Sequence, residues 1–311
     1  MRVKLLGTAA GGGFPQWNCG CALCARCRRG ELPSRFQDSV AVSGNGRDWW
    51  LLNASPDIRV QLEATSALAA GPGPRDTPVR GVLLTDAEAD HTLGLAVLRG
   101  GADLTVYAVP PVHEALSTAL PLRGLLDRYA PWRWQDTDPL TTQGSTDRTA
   151  AASAPFTLSG GLTATLHPVG TKAPKYVAAP ATDVPWASAV RIEDPATGGA
   201  LLYAPCLATW PDGFDDLLAS VTCALVDGTF FSAEELGQAV RSPDAGQSLM
   251  GHLPVSGPGG TLTGLARHPD LRRLYTHFNN TNPLLDPSSD AADEVRRAGV
   301  EVPEDGRELT V

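Results

Sequence analysis

Four of the six cysteines in this chain fall within nine residues, Cys19-Gly20-Cys21-Ala22-Leu23-Cys24-Ala25-Arg26-Cys27, and no other feature restricts the fold as tightly. Thiolates at C-x-C-x-x-C spacing converge on one soft or borderline ion, and a filled four-ligand shell makes such a zinc structural rather than catalytic. The fourth ligand is open. Cys27 completes an all-thiolate set, or a residue from a distant loop serves and leaves Cys27 a free thiol. Disulfides are the weaker reading, because cysteines this close in sequence would close very small, strained loops. The chain also opens Met1-Arg2-Val3-Lys4 with no signal peptide, which points to a reducing cytoplasm.

At 311 residues with 42% hydrophobic content, the chain can bury a large core, and it is read as one domain over 1–311 with the cysteine loop 19–27 near its start. No apolar run is long enough to span a bilayer. Lys plus Arg number 25 against 34 Asp plus Glu, a net charge of −9, so nucleic acid and anionic membrane are repelled unless a local patch reverses the field. No basic block does so. Glycine and proline are spread through loop-like stretches such as Ala70-Gly71-Pro72-Gly73-Pro74, and neither a repeat nor a domain seam stands out.

Short β-type runs dominate the first half at Val3 to Gly7, Ser39 to Ser43, Trp49 to Asn53 and Gly81 to Thr85, with helices expected over Thr92 to Arg99 and Val112 to Leu120. The second half repeats the theme, with strands at Leu162 to His167, Ser188 to Glu193, Leu201 to Ala204, Cys223 to Asp227 and Leu274 to Phe278. Helices are expected there near 213–219, 233–240, 259–267 and 289–298. Strands grouped in each half, with helices to cover them, predict an α/β fold of two packed sheets with helices outside, a four-layer αββα sandwich.

The second chemical feature is Leu83-Leu84-Thr85-Asp86-Ala87-Glu88-Ala89-Asp90-His91-Thr92, where acids and a histidine gather at a strand's carboxyl end. The plain alternative is that Asp90 merely caps a helix beginning at His91. His252 lies in the loop Gly251-His252-Leu253, and His277 ends a strand beside Asn279, Asn280 and Asn282. Any one of these histidines alone is ordinary; together with Asp90-His91 they make a plausible metal site. Gly11-Gly12-Gly13 lacks a phosphate-loop continuation and reads as a tight turn beside the cleft. Cys206 and Cys223 read as buried, inert thiols.

These segments carry a resemblance. Leu6-Gly7-Thr8-Ala9-Ala10-Gly11-Gly12-Gly13-Phe14-Pro15-Gln16-Trp17-Asn18-Cys19, Asn53-Ala54-Ser55-Pro56-Asp57, Asp90-His91-Thr92-Leu93-Gly94, Val226-Asp227-Gly228-Thr229, Met250-Gly251-His252-Leu253 and His277-Phe278-Asn279-Asn280-Thr281-Asn282-Pro283 resemble the metallo-β-lactamase superfamily. Within it they resemble the family that acts in pyrroloquinoline quinone (PQQ) biosynthesis. The resemblance implies the αββα fold, a structural zinc on the cysteines and an active site on the rim between the sheets. The superfamily's hydrolases use H-x-H-x-D-H, and here Asp86 and Glu88 stand at the first two histidines. Pro205 stands where those enzymes carry a bridging aspartate. A two-zinc cluster therefore lacks most of one site, although Asp86 and Glu88 leave a second, weaker ion possible.

What survives is Asp90, His91 and His277, the two-histidine, one-carboxylate set of non-haem Fe(II) oxygenases, which leaves positions open for O2 and substrate; catalytic zinc accepts the same set. His252 suits a proton relay better than a ligand, and Asp227 suits an acid that orients a ligand histidine. The family resemblance implies a carboxylate-rich small molecule or short peptide, a cross-linked Glu-Tyr unit hydroxylated on the tyrosine ring. Arg35, Arg59, Asn279 and Asn282 are the expected substrate contacts, and Asn280 is the alternative fourth zinc ligand. A homodimer is what the resemblance favours. A zinc- or manganese-dependent hydrolase and a noncatalytic carrier of the finished quinone are the competing functions.

Overall fold

The computed structural model describes residues 1–137, 152–236 and 250–311. Six strands of the first half, β1 (Arg2–Gly7), β2 (Ser39–Ser43), β3 (Trp49–Leu52), β4 (Val79–Leu83), β5 (Thr105–Ala108) and β6 (Arg133–Asp136), form one sheet. The second sheet contains β7 (Phe156–Leu158), β8 (Leu162–Gly170), β9 (Ala187–Asp194), β10 (Gly199–Ala204), β11 (Cys223–Asp227), β12 (Arg272–Thr276) and β13 (Val300–Glu301). The last strand, β14 (Glu308–Thr310), returns to pair with β1, so the strand orders are β14-β1-β2-β3-β4-β5-β6 and β13-β12-β11-β10-β9-β8-β7. Each sheet is antiparallel on one side and parallel on the other, with β3 to β6 and β10 to β13 running parallel.

Side chains alternate across each strand, and this alternation sorts them into layers. Val3, Leu5, Val42 and Leu52 of the first sheet share one face and one buried cluster with Leu166, Val190, Ile192, Leu201 and Leu225 of the second. The opposite face of the second sheet, with Ala200, Leu202, Ala224, Val226 and Tyr275, packs on Phe214, Leu218, Leu265 and Val295 from the covering helices. The fold is the expected four-layer α/β sandwich. Each fully buried Leu, Val or Ile of the shared cluster contributes about 1.5–3 kcal/mol by leaving water, so the interface between the sheets is the rigid base for the loops above it.

Helix ends differ from expectation in instructive ways. The helix expected from Thr92 begins earlier, at Ala89, ends at Thr92, and resumes over Gly94–Val97. Gly94 packs so closely on Ala54 and Ser55 that the chain bends around the contact, with Gly94 N donating to Ala54 O at 2.9 Å. Glu88 precedes this helix without a capping side chain, and Asp90 lies inside the first turn, so Asp90 is not the cap. The cysteine run itself is helical over Ala22–Arg28, a helix the periodicity did not reveal; Cys21 caps it, its sulfur accepting from Cys24 N at 3.5 Å. The expected helix at 233–240 extends beyond the described residues. Among the described residues, no helix is long and apolar enough to cross a membrane.

Parallel strands place their carboxyl ends together, and the loops after β1, β4, β11 and β12 meet there. Phe278 N donates to Thr8 O and Ala10 N donates to Phe278 O, each at 2.8 Å, which ties the first glycine loop to the strand end carrying His277. Ser188 N donates to Thr85 O at 2.8 Å and joins the two sheets directly beneath Asp86.

Candidate metal centre

Two buried acids, Asp86 and Asp227, the partly exposed Asp90 and three imidazoles occupy this rim. His91 Nδ1 lies 2.8 Å from both oxygens of Asp86, which also accepts from Thr85 Oγ1 at 2.8 Å and Glu88 N at 2.9 Å. A carboxylate at Nδ1 fixes a proton on that nitrogen, so Nε2 is the atom left to face the site and to ligate a metal. His91 Nε2 is buried with no hydrogen-bond partner. A buried acceptor without a partner is costly unless something fills the position.

His277 is arranged the same way. Its backbone adopts φ +62, a left-handed conformation uncommon outside glycine, which turns the side chain back over the site at the end of β12. His277 Nδ1 is 2.7 Å from Thr229 Oγ1, and that hydroxyl donates to Asp227 Oδ1 at 2.7 Å. The single hydroxyl proton is thereby committed to Asp227, so His277 Nδ1–H must donate and Nε2 is free, 3.3 Å from Asp90 Oδ2. Asp227 Oδ2 accepts from Leu207 N at 2.8 Å and from His252 Nδ1 at 2.7 Å. Asp227 therefore contacts His252 directly and His277 through Thr229, the intermediary that sequence reasoning missed.

Asp90, His91 and His277 present ligand atoms within 4.8 Å of one another. The His277 ring lies between the other two, 5.1 Å from His91 edge-on and 5.1 Å from His252 stacked. Burial opposes charge on every one of these groups, yet Asp86 and Asp90 push His91 up to about 10 and the hydrogen bond to Asp90 raises His277. Asp90 is held well below the usual carboxylate range by His91 and His277 against the burial penalty. In the metal-free protein this field favours a proton on each of these imidazoles, at the Nε2 positions that a divalent cation would take instead. The orphaned His91 Nε2, the two imidazoles fixed at Nδ1 and the adjacent carboxylate are the donor set of a divalent transition metal with its supporting hydrogen bonds in place.

Asp86 does not form a second metal site with Glu88, because both its oxygens already hold His91. Glu88 faces the cleft but is met by the Lys172 ammonium at 3.5 Å. Cys206 lines the cleft instead of being hidden behind it, and burial raises its thiol far above the ordinary range, which keeps it a poor nucleophile.

The cysteine site forms beside this one. Cys19, Cys21 and Cys24 bring their sulfurs within 4.8 Å of one another, and Cys27 is not among them. Cys27 sits one helical turn beyond Cys24, buried in the apolar cluster. Asn280 occupies the fourth direction, its side-chain amide 3.2, 3.8 and 3.4 Å from the sulfurs of Cys19, Cys21 and Cys24. Turning that amide by half a turn presents Oδ1 in place of Nδ2, so the three thiols and Asn280 fit a closed four-ligand zinc. Burial lifts Cys24 to about 11, while hydrogen bonds from the helix start and the neighbouring thiols outweigh burial and lower Cys21.

The expected substrate arginines are elsewhere. Arg35 is buried, donates to Thr8 Oγ1 at 2.8 Å and to the Pro303 carbonyl, and lies over the Phe278 ring. It braces the glycine loop from behind. Arg59 is exposed on the helix Ile58–Ala64, away from the cleft. Asn282 is fully buried; it donates to Gly228 O and Thr229 O and accepts from Leu284 N, so it shapes the loop rather than touching a ligand. Asn279 does line the cleft. That cleft has a volume of about 390 Å³ and is walled by Gly11, Phe230, Met250, Tyr176, Lys172 and Lys175 as well as the histidines. The size suits a small organic ligand. Gly11 comes so near Asp90 that a Cβ would stand 3.1 Å from Oδ2, which explains the glycine turn.

Comparison with known proteins agrees with this geometry. A family profile described as the beta-lactamase superfamily domain matches residues 48–278. Coenzyme PQQ synthesis protein B of Nitrosococcus oceani is 40% identical, covering 99% of each chain, and that of Cupriavidus necator is 41% identical, again over 99% of each. The crystal structure of Zn(2+)-bound PqqB from Methylobacterium extorquens superposes with a TM-score of 0.87 at 32% identity, covering 100% of both chains.

Proposed function

Because this chain belongs to the coenzyme PQQ synthesis protein B family, on the β-lactamase superfamily fold, we propose that it is an Fe(II)- and O2-dependent hydroxylase of a tyrosine-derived intermediate, the cross-linked Glu-Tyr unit, on the way to PQQ. The observation that carries the reading is the donor set: Asp90, His91 Nε2 and His277 Nε2, with Asp86 held at His91 in place of a second ion. These two imidazoles and one carboxylate would hold a ferrous ion, and that ion would supply the activation of O2.

The chain's own residues do the rest. His252 keeps its Nδ1 proton on Asp227, so its Nε2 is the atom that takes the phenolic proton and returns it later. Phe230 packs edge-on against His252 at 6.1 Å and gives the cleft an apolar wall for an aromatic ring. The Gly11 turn, tight against Asp90, admits the ring without a side chain in its path. In each hydroxylation one oxygen atom enters the ring as hydroxyl and the other leaves as water, with two electrons from an external reductant of the ascorbate class.

The test is O2 uptake and product mass with isotopically labelled O2, on a cross-linked Glu-Tyr substrate and protein loaded anaerobically with Fe(II). One labelled oxygen in the product supports the reading, and D90A and H277A should abolish it in folded protein. Retained turnover in those variants rejects the ligand set. A second reading, a zinc hydrolase, draws on the zinc in the Methylobacterium extorquens relative; it is supported by product formation with Zn(II) and no O2 consumed. Binding of PQQ with no turnover under either metal favours a carrier.

A further inference from the structure

The chain contains three lysines, Lys4, Lys172 and Lys175, against twenty-two arginines, and two of the three line the candidate cleft. Among the described residues lining that cleft, they are the only Lys or Arg side chains. Both belong to the loop that follows β8. Tyr176 Oη donates to Ala87 O at 2.5 Å and Lys172 Nζ donates to Met250 O at 2.7 Å, so this loop is fastened both to the segment bearing Asp90-His91 and to the segment bearing His252.

We propose that Lys172 and Lys175 form the carboxylate-binding arm of the cleft, holding the acid groups of an amino-acid-derived ligand while its reacting ring faces Asp90, His91 and His277. The inference rests on the reading that the ligand belongs to PQQ synthesis. The cleft is electrically split. Asp90 and Glu88 line it beside the histidines, with Asp86 and Asp227 hydrogen-bonded to His91 and His252 behind them, whereas the loop after β8 brings two ammonium groups that attract an anion.

The two ammonium groups divide the work. Lys172 has three N–H donors, of which Met250 O and Glu88 account for two. The third is available to a ligand, and the pairing with Glu88 keeps that acid from repelling it. Lys175 is exposed, and among the described residues its ammonium meets no acidic partner, so it is free to close on a second carboxylate. Gly251 makes the approach possible: a Cβ there would stand 2.9 Å from Lys172 Cδ and 3.3 Å from its Nζ. A slender ammonium fits this slot, where the broad guanidinium fork does not.

The test measures equilibrium binding of PQQ, a polycarboxylate, and of its methyl ester to the full-length, Zn(II)-loaded protein. The wild type should prefer the acid. K172M and K175M should each weaken acid binding roughly three- to tenfold with ester binding unchanged, the size expected of one partly solvated charge-assisted contact. K175R should restore the preference, and G251A should weaken acid binding without removing a charge. Thermal midpoints identify any variant that fails to fold, and the exposed Lys175 pair of variants then decides. Equal binding of acid and ester by wild type, no binding of either, or an acid preference that survives both methionine variants overturns the proposal. The O2-uptake assay fails separately: lysine-dependent acid binding in a protein that consumes no O2 keeps the carboxylate arm and discards the hydroxylase.

Discussion

Both carboxylate oxygens of Asp86 lie 2.8 Å from Nδ1 of His91. An acid that occupies a position where the superfamily's hydrolases bind metal is here spent on aiming a neighbouring histidine. D86A should therefore lower the affinity of the Asp90, His91 and His277 site about 10- to 100-fold, the usual cost of losing such an outer partner. D86N, whose amide oxygen still accepts from Nδ1–H, should lose less. Competition with a chromogenic chelator measures both, and an unchanged D86A affinity would show that Asp86 does not support the ligand.

Asn280 and Cys27 make opposite predictions for the cysteine site. C27S should retain its structural zinc, since Cys27 faces the apolar cluster. N280A should bind zinc more weakly, and C24S should lose it together with much of the thermal stability, because the clip ties the Ala22–Arg28 helix to the loop after β12. Metal analysis beside thermal melts distinguishes the three. Zinc loss in C27S with none in N280A would reverse the assignment.

Gly94 should tolerate no side chain. A Cβ there meets the backbone carbonyls of Ser55 and Ala54, neither of which can swing aside. G94A should cost about 1–3 kcal/mol in denaturant unfolding, the range of overpacking in a well-packed interior. It should also disturb metal binding, because Ala54 N donates to His91 O at 2.8 Å. A variant as stable as wild type would show that the bend is not held by this contact.

His167 on β8 should make stability depend on pH far from the metal centre. Burial, reinforced by Arg191 on the neighbouring strand, depresses it from 6.5 to about 4. Below pH 6.5 the unfolded chain takes up a proton that the folded chain refuses until about pH 4, so stability present above 6.5 is lost as the pH falls through that window. The slope is about 1.4 kcal/mol per pH unit, about 3 kcal/mol in all. H167Q should remove that component, read as the difference between the two proteins in urea unfolding from pH 7 to pH 4. Parallel curves would sink the prediction.

Much of the sandwich was legible in the sequence because strands such as Ser39–Ser43 and Cys223–Asp227 are unbroken β-type runs bounded by turn residues. Short strands such as Thr105–Ala108 were not, since four residues carry too little pattern. Within the site, the histidines and Asp90 could be found by type and position, but the directions of side chains could not. Asn279 and Asn282 lie three residues apart in one loop, yet one lines the cleft and the other is sealed beneath it. Asp86 and Arg35 were likewise read by chemical type, when what decided their roles was a partner distant in the chain or around a turn. The rarity of lysine was a signal available from the beginning, and only the folded loop after β8 gives it meaning.

The loop from His277 to Asn282 carries a ligand for each candidate metal, one at its start and one three residues on. A chain still being synthesised and lacking that loop has neither a closed cysteine clip nor a complete histidine set, whatever else has folded. One short segment thus works as a shared hinge pin: any shift of the backbone over 277–282 moves a candidate donor of each centre at once, so damage to either is expected to register at both.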